Sequence, residues 1–337
     1  MEMRRTVLFL AVVALMLGLG PTARSADDDK SAKPAGEKKT APAARTYLVY
    51  KQWPFDAKEA RRRQEETAKQ LGIPVEKTIM LPFNTPMKFM LIPAGEFMMG
   101  SPANELERKD DEKQHRVRIQ QPYYLGKYEF TQGEWIAAKS QKGQFARNRS
   151  YNTSDKANPV EQASWMDAQR CLGIMNKRKR GVFTLPSEAE WEFACRAGTT
   201  TPFHFGETIA TEQANYNGYS IYGKGKKGEF RKGTSKVGQF PPNAFGLHDM
   251  HGNVAEWCWD VYSPDLYSKK MQINPSGTTT GSKRVYRGGA FALSSAAENR
   301  SASRRVYPQD RRGRCEGFRV VLRTLDPDPK PEAKPKQ

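Results

Sequence analysis

Hydrophobic and polar positions fall into a few short periodic stretches separated by long irregular ones. Ala57 to Leu71 (AKEARRRQEETAKQL) is built of helix formers with a thin apolar side, which predicts a polar helix on the surface of the main domain. Asp56 supplies its N-cap and Gly72-Ile73-Pro74 its stop. Met87 to Met99 (MKFMLIPAGEFMM) is almost wholly apolar and is interrupted by Pro-Ala-Gly, predicting two short strands around a turn. Thr131 and Glu134 form a capping box opening a helix that carries Trp135. Ser164 to Lys179 predicts a second helix with Trp165, Cys171 and Met175 inward. Ser187 and Glu190 open a third after Pro186, with Trp191, Phe193, Ala194 and Cys195 buried and Gly198 as the stop. Beyond Gly198, Gly, Asn, Pro and aromatic residues dominate, and no repeat is present. Irregular segments of this length need pinning by ions, disulfides or aromatic clusters.

The two ends read differently. Arg4 and Arg5 precede an apolar run from Val7 to Leu19, and Ala23 and Ser25 suit a processing site, so 1–25 is expected to be a signal peptide. The alternative is an uncleaved anchor, for which the run falls short of the roughly 20 residues a bilayer span needs. No cysteine lies near the cut, so a lipid anchor is not expected, and the location read from this is periplasmic or secreted, with no membrane span after cleavage. Residues 26–45 lack aromatics and are expected to be a disordered linker, and 324–337 a disordered tail of alternating Pro and charge. Residues 46–89 are an N-terminal extension with one helix, and 90–323 the main domain.

Composition narrows the class. Mean hydropathy is −0.77, which excludes a polytopic membrane protein. Four cysteines in 337 residues exclude a disulfide-dense scaffold. The net charge of +18 invites a nucleic-acid reading, but the basic residues are scattered and no nucleic-acid module surrounds them, so nucleic acid is not expected as a partner.

Six stretches carry a resemblance. They are Ile92 to Ser101 (IPAGEFMMGS), Tyr124 to Gln132 (YLGKYEFTQ), Asn158-Pro159-Val160 followed by Ser164-Trp165, Leu185 to Gly198 (LPSEAEWEFACRAG), Phe240 to Trp257 (FPPNAFGLHDMHGNVAEW), and the pair Arg287-Gly288-Gly289 and Gly317-Phe318-Arg319. In this order and spacing the chain resembles the formylglycine-generating enzyme, or sulfatase-modifying factor, family over about 90–323. The resemblance implies an α+β fold with a C-type-lectin-like core and little regular secondary structure.

Asp249 and Glu256 lie seven residues apart in a glycine-containing loop, and hard oxygen ligands in an irregular loop suit Ca2+. The resemblance implies a first structural calcium site with the Asp249 and Glu256 side chains and the Gly252 and Val254 carbonyls. It implies a second with the Asn215 and Glu229 side chains and the Tyr216 and Arg231 carbonyls. The residues alone read equally as polar groups that cap turns. His248 and His251 flank Asp249, but a zinc site would need further ligands and Cys258 is the only nearby candidate.

Family members that oxidise a sulfatase cysteine to formylglycine hold Cu(I) between two cysteines, spaced Cys-x4-Cys, just after the Arg-Gly-Gly segment, because soft thiolates select Cu(I). Here those positions fall on Leu293 and Glu298, and the serine expected beside them falls on Ala290. Copper is therefore not expected and no catalytic residue is assigned. Cys171 and Cys195 match structural half-cystines of the oxidase branch, whose partners fall on Val320 and Ser303. A shifted Cys171–Cys315 bridge and a Cys195–Cys258 pair stay open.

Three functions compete. The first is a non-catalytic binding or assembly module for a glycan or peptide, with a sulfatase as a further candidate partner. Its groove would be lined around His204, Trp257, Asn299, Arg300, Arg304 and Arg305. The same residues read otherwise as a core tryptophan and a solvated arginine face. The second is a formylglycine-generating oxidase, and the third an iron-dependent oxidase with Glu298 and His204 as ligands.

Overall fold

The structure, a computed structural model, describes residues 46–139, 150–178, 180–264, 267, 270–278 and 280–326. The expected signal peptide, the linker and most of the tail lie outside the described residues. Among these residues no helix is long and apolar enough to cross a membrane.

Helices form where local signals are strongest. Helix α1 runs Ala57–Leu71; the Asp56 carboxylate accepts the Glu59 N–H, and Gly72 closes the helix in the left-handed region at φ 65°. Helix α2 (Gln132–Lys139) starts from the expected box, Thr131 and Glu134 each accepting the other's backbone N–H. Helices α3 (Trp165–Lys177) and α4 (Glu188–Arg196) carry complete capping boxes at Ser164/Asp167 and Ser187/Glu190. Expected inward residues Trp165, Cys171, Met175, Trp191 and Phe193 are buried. Helix α4 is buried on every side, Glu188, Glu192 and Arg196 included, which its sequence did not announce.

Three sheets enclose the core. In the first, β2 (Glu76–Leu81), β3 (Thr85–Ile92), β6 (Tyr123–Gly126), β13 (Val321–Leu322) and β7 (Phe183–Thr184) stand side by side in that order. The second orders β1 (Val49–Tyr50), β4 (Ala94–Met99), β5 (His115–Ile119) and β9 (Gln272–Ile273). The third orders β11 (Arg305–Pro308), β10 (Lys283–Arg287), β8 (Ala255–Val261) and β12 (Glu316–Gly317). β3 and β4 are the two strands expected around Pro93.

The N-terminal extension is part of this body. β1 pairs parallel with β4, and β3 runs through the boundary drawn at residue 89. From α1, the buried Gln64 amide donates to the Leu91 and Phe245 carbonyls at 2.9 and 3.0 Å. The irregular stretch after Gly198 is tied by buried asparagines. Asn243 donates to the Ala194 and Cys195 carbonyls and accepts the Phe245 and Leu247 N–H groups. Asn253 donates to Glu129 and accepts from Asn215 and Ser235. Such side chains replace the ladder that irregular backbone lacks.

Candidate functional site

The loop after β10 is where the family resemblance places its chemistry. Gly288 and Gly289 turn it at φ 93° and 73°, and a Cβ on Gly289 would stand 2.1 Å from the Asn299 Oδ1, so only glycine admits this approach. A single 3-10 turn, Ala296–Asn299, follows, capped by the Ser295 hydroxyl. The Phe291 N–H donates to the Asn253 carbonyl, which fixes the loop on the segment carrying Asp249 and Glu256.

At the two copper positions the donor set is wrong for a soft ion. Leu293 is hydrocarbon, partly buried and packed against the core. Glu298 is a hard carboxylate held by Arg305 at 2.6 Å. Arg305 also donates to the Tyr307 hydroxyl, Tyr307 stacks on Tyr286 at 5.3 Å, and the Arg311 guanidinium lies 3.9 Å over the Tyr307 ring. Ala290 is buried. These residues do not fit copper.

The four cysteines are all free, so neither open disulfide pairing is formed. Burial pushes the Cys171 and Cys195 thiols up to about 12 and Cys315 to about 11, and holds Cys258 well above its ordinary value. None is poised as a thiolate ligand or nucleophile at neutral pH.

The expected groove residues are mostly interior. Trp257 is core: its indole donates to the Ala163 carbonyl at 2.8 Å and its ring meets Tyr286 edge-on. Asn299 is buried. Arg300 is fully buried against Glu105 and Glu112, and Arg304 is bidentate to Glu188 at 2.7 and 2.8 Å. They are neither a groove nor a solvated face. Their acids stand more than one hundred residues away in sequence, so no local pattern displays the pairing. Only Arg305 and His204 keep partial exposure. The His204 N–H donates to His251 Nε2, and His251 Nδ1 donates to the Asn299 carbonyl, which fixes His251 as the neutral Nδ1–H tautomer. Burial lowers the His204 ring to about 4.

Each expected calcium site keeps one of its two side-chain ligands in place. Asp249 Oδ2 accepts the Gly238 N–H, while its Oδ1 is buried without a partner. Glu256 is otherwise engaged, both oxygens held by Arg319 and one also by the Trp191 indole. In the second site Asn215 Oδ1 is buried and unpartnered, but Glu229 is 64% exposed and turned to Arg231. The Asp249 and Asn215 oxygens fit a hard cation; Glu256 and Glu229, as placed, do not. Sequence reasoning missed Glu129, a fully buried carboxylate that accepts the Val254 N–H and the Asn253 amide. Burial and the nearby Asp249 drive it well above the carboxylate range. Its signal was present in Tyr124–Gln132, which carried only a fold resemblance. Among the described residues no three His, Cys, Asp or Glu side chains converge as a metal cluster.

Residues 79–324 match the family described as sulfatase-modifying factor enzyme 1-like domain. A formylglycine-generating enzyme of Thermomonospora curvata is 32% identical over 203 residues, covering 57% of this chain and 64% of that protein, so the chain spans under two thirds of this relative's length. The Bos taurus formylglycine-generating enzyme is 27% identical over 289 residues, covering 70% of this chain and 75% of that protein. The solved structure of PvdO from Pseudomonas aeruginosa superposes with a TM-score of 0.60 at 27% identity, covering 70% of this chain and 94% of that one.

Proposed function

Since the chain belongs to the sulfatase-modifying factor enzyme 1-like family, we propose that it keeps the family fold as a non-catalytic binding or assembly module, taking a glycan or peptide, with a sulfatase as candidate partner. One observation carries this reading: the two positions that would hold Cu(I) are Leu293, a hydrocarbon side chain packed on the core, and Glu298, ion-paired to Arg305. The names of the relatives favour a second reading, formylglycine generation itself. That reaction would need a pair of soft donors at this loop, where Cys315 near Ala292 is a single thiol, and burial holds all four thiols of this chain protonated. For an iron-dependent oxidase, Glu298 is occupied by Arg305, and the His204 ring meets Phe205 edge-on and lies tilted against His251.

The purified protein, loaded with Cu(I) and mixed in air with a Cys-x-Pro-x-Arg peptide, tests the proposal by mass spectrometry. The peptide thiol is expected to survive as in a protein-free control. Conversion to the aldehyde above that control overturns the reading.

The same proposal gives the chain one or two structural calcium ions. Asp249 would serve with the Gly252 and Val254 carbonyls, and Asn215 with the Tyr216 and Arg231 carbonyls; a bound ion would supply charge to pin loops. Calcium is expected to raise the melting temperature over chelator, and Asp249→Ala to abolish most of that rise. We place the protein in the periplasm or outside the cell, from the character of residues 1–25.

A further inference from the structure

Strand β8 is buried at every position but one. Trp259 is 44% exposed, and nothing in the fold described above requires a large aromatic there. It is rigidly mounted. Its N–H donates to the Pro186 carbonyl at 2.8 Å, its own carbonyl accepts from Arg284 at 2.7 Å, and Trp165 backs its ring at 5.8 Å. Arg284 in turn lies 3.9 Å over Trp165.

Trp259 forms part of the wall of a pocket of about 360 Å3, within the usual range of small-ligand sites. Ile119, Leu185 and Pro275 add apolar wall, and the polar lining groups are pre-set. Arg323 and Glu190 form a two-point pair, the Arg323 Nε holds the Thr184 hydroxyl, and Glu190 also caps α4 through the Ser187 N–H. The Asn274 amide is fixed by two hydrogen bonds to Gln120 at 2.8 Å. Gln121 and Ser276 complete the rim and are exposed.

Two features select the ligand. Arg323 is neutralised by Glu190, so the pocket offers no net charge to a phosphate, a nucleotide or an acidic peptide. A flat indole lining the same pocket as planar amide and guanidinium–carboxylate groups matches a molecule with an apolar face and hydroxyls around its edge. A purely apolar side chain would cover the exposed Gln121 and Ser276 without offering them a partner. We propose that this pocket binds a neutral saccharide whose ring stacks on Trp259 while its hydroxyls reach Arg323, Glu190 and the Gln121–Ser276 rim. All-equatorial pyranoses in β-1,4 linkage fit best, because both ring faces then carry only C–H groups. The inference rests on reading the chain as a binding module, and it places the contact away from the Leu293–Glu298 loop.

Calorimetric titration of the full chain with cellotetraose is the test, with maltotetraose, whose α-linked chain is curved, as comparison. Cellotetraose is expected to bind, at least about tenfold more weakly in Trp259→Ala and more weakly in Arg323→Gln. Binding should be unchanged in Tyr219→Ala, which removes an aromatic that is 59% exposed elsewhere. Circular dichroism and melting curves like the parent's would exclude misfolding. Binding that survives Trp259→Ala, or equal affinity for maltotetraose, overturns this site. Absence of cellotetraose binding overturns the ligand class, whereas the binding-module reading stands or falls separately on the peptide-thiol assay.

Discussion

A carboxylate in the first turn of a helix ordinarily ionises easily, and Glu134 shows how burial reverses this. It caps α2 by accepting the Thr131 N–H at 2.7 Å, yet burial, only partly offset by the hydrogen bonds to Thr131, pushes it up to about 7. A folded pKa above the unfolded value means that its contribution is fully present below about 4.5 and is lost as pH rises through about 7. Glu134→Gln keeps an acceptor for the cap but never ionises. Its stability relative to the parent should therefore increase between pH 4.5 and 8, by up to about 3 kcal/mol. Urea unfolding at both pH values would show this, and a pH-independent difference would sink the argument. The sequence displayed Glu134 as a cap but not as a buried acid. Capping is a contact across three residues, whereas burial comes with segments far along the chain, among them that of Arg319, whose charge acts on Glu134.

At the scale of elements, what could be read from sequence was what is local. The caps of α1, α2 and α4 and the break at Pro93 follow from signals a few residues wide. Strand order was not legible, because β13 sits between β6 and β7 although almost two hundred residues separate β6 from β13. The site suffered from the same blindness. The Leu293 and Glu298 substitutions were plain in sequence, but the burial of Trp257, Arg300 and Arg304 was not. The polar α1 was expected to lie on the surface, and its inward side buries Ala60 and Ala68 together with Arg63, Gln64 and Thr67. Gln64 reaches the carbonyl ends of two segments at once. Gln64→Ala would leave both acceptors without this donor and should cost about 1–3 kcal/mol. In native-state hydrogen exchange, α1 should lose protection before the three sheets do. Uniform loss across the chain would mean that the helix is not a separable layer.

Over the whole molecule, part of the arginine lies inside. Arg196, Arg287, Arg300, Arg304 and Arg319 are all buried, each against at least one acid. They face Glu105, Glu112, Glu188, Glu192 and Glu256, so the buried system is close to neutral and the net charge of +18 is carried by the rest of the chain. The centre of this system is Arg287, which meets Glu192 and Glu188 from β10 across to α4. Burial alone would raise both acids, but Arg304 and Arg287 hold Glu188 below its ordinary value, and Arg196 and Arg287 do the same for Glu192. Depressed carboxylates stabilise the fold above their unfolded pKa, near 4.5, and lose that contribution as pH falls through the lower folded value. Arg287→Met leaves hydrocarbon of similar length while removing the charge the two acids share. The loss should be about 3–5 kcal/mol at pH 7.5, where both carboxylates stay ionised in a buried site. At pH 4.5 it should be smaller, because in the variant the acids can take up protons instead. Chemical denaturation at the two pH values measures the difference. An equal loss at both would show that Arg287 acts by packing against Trp191 rather than by charge.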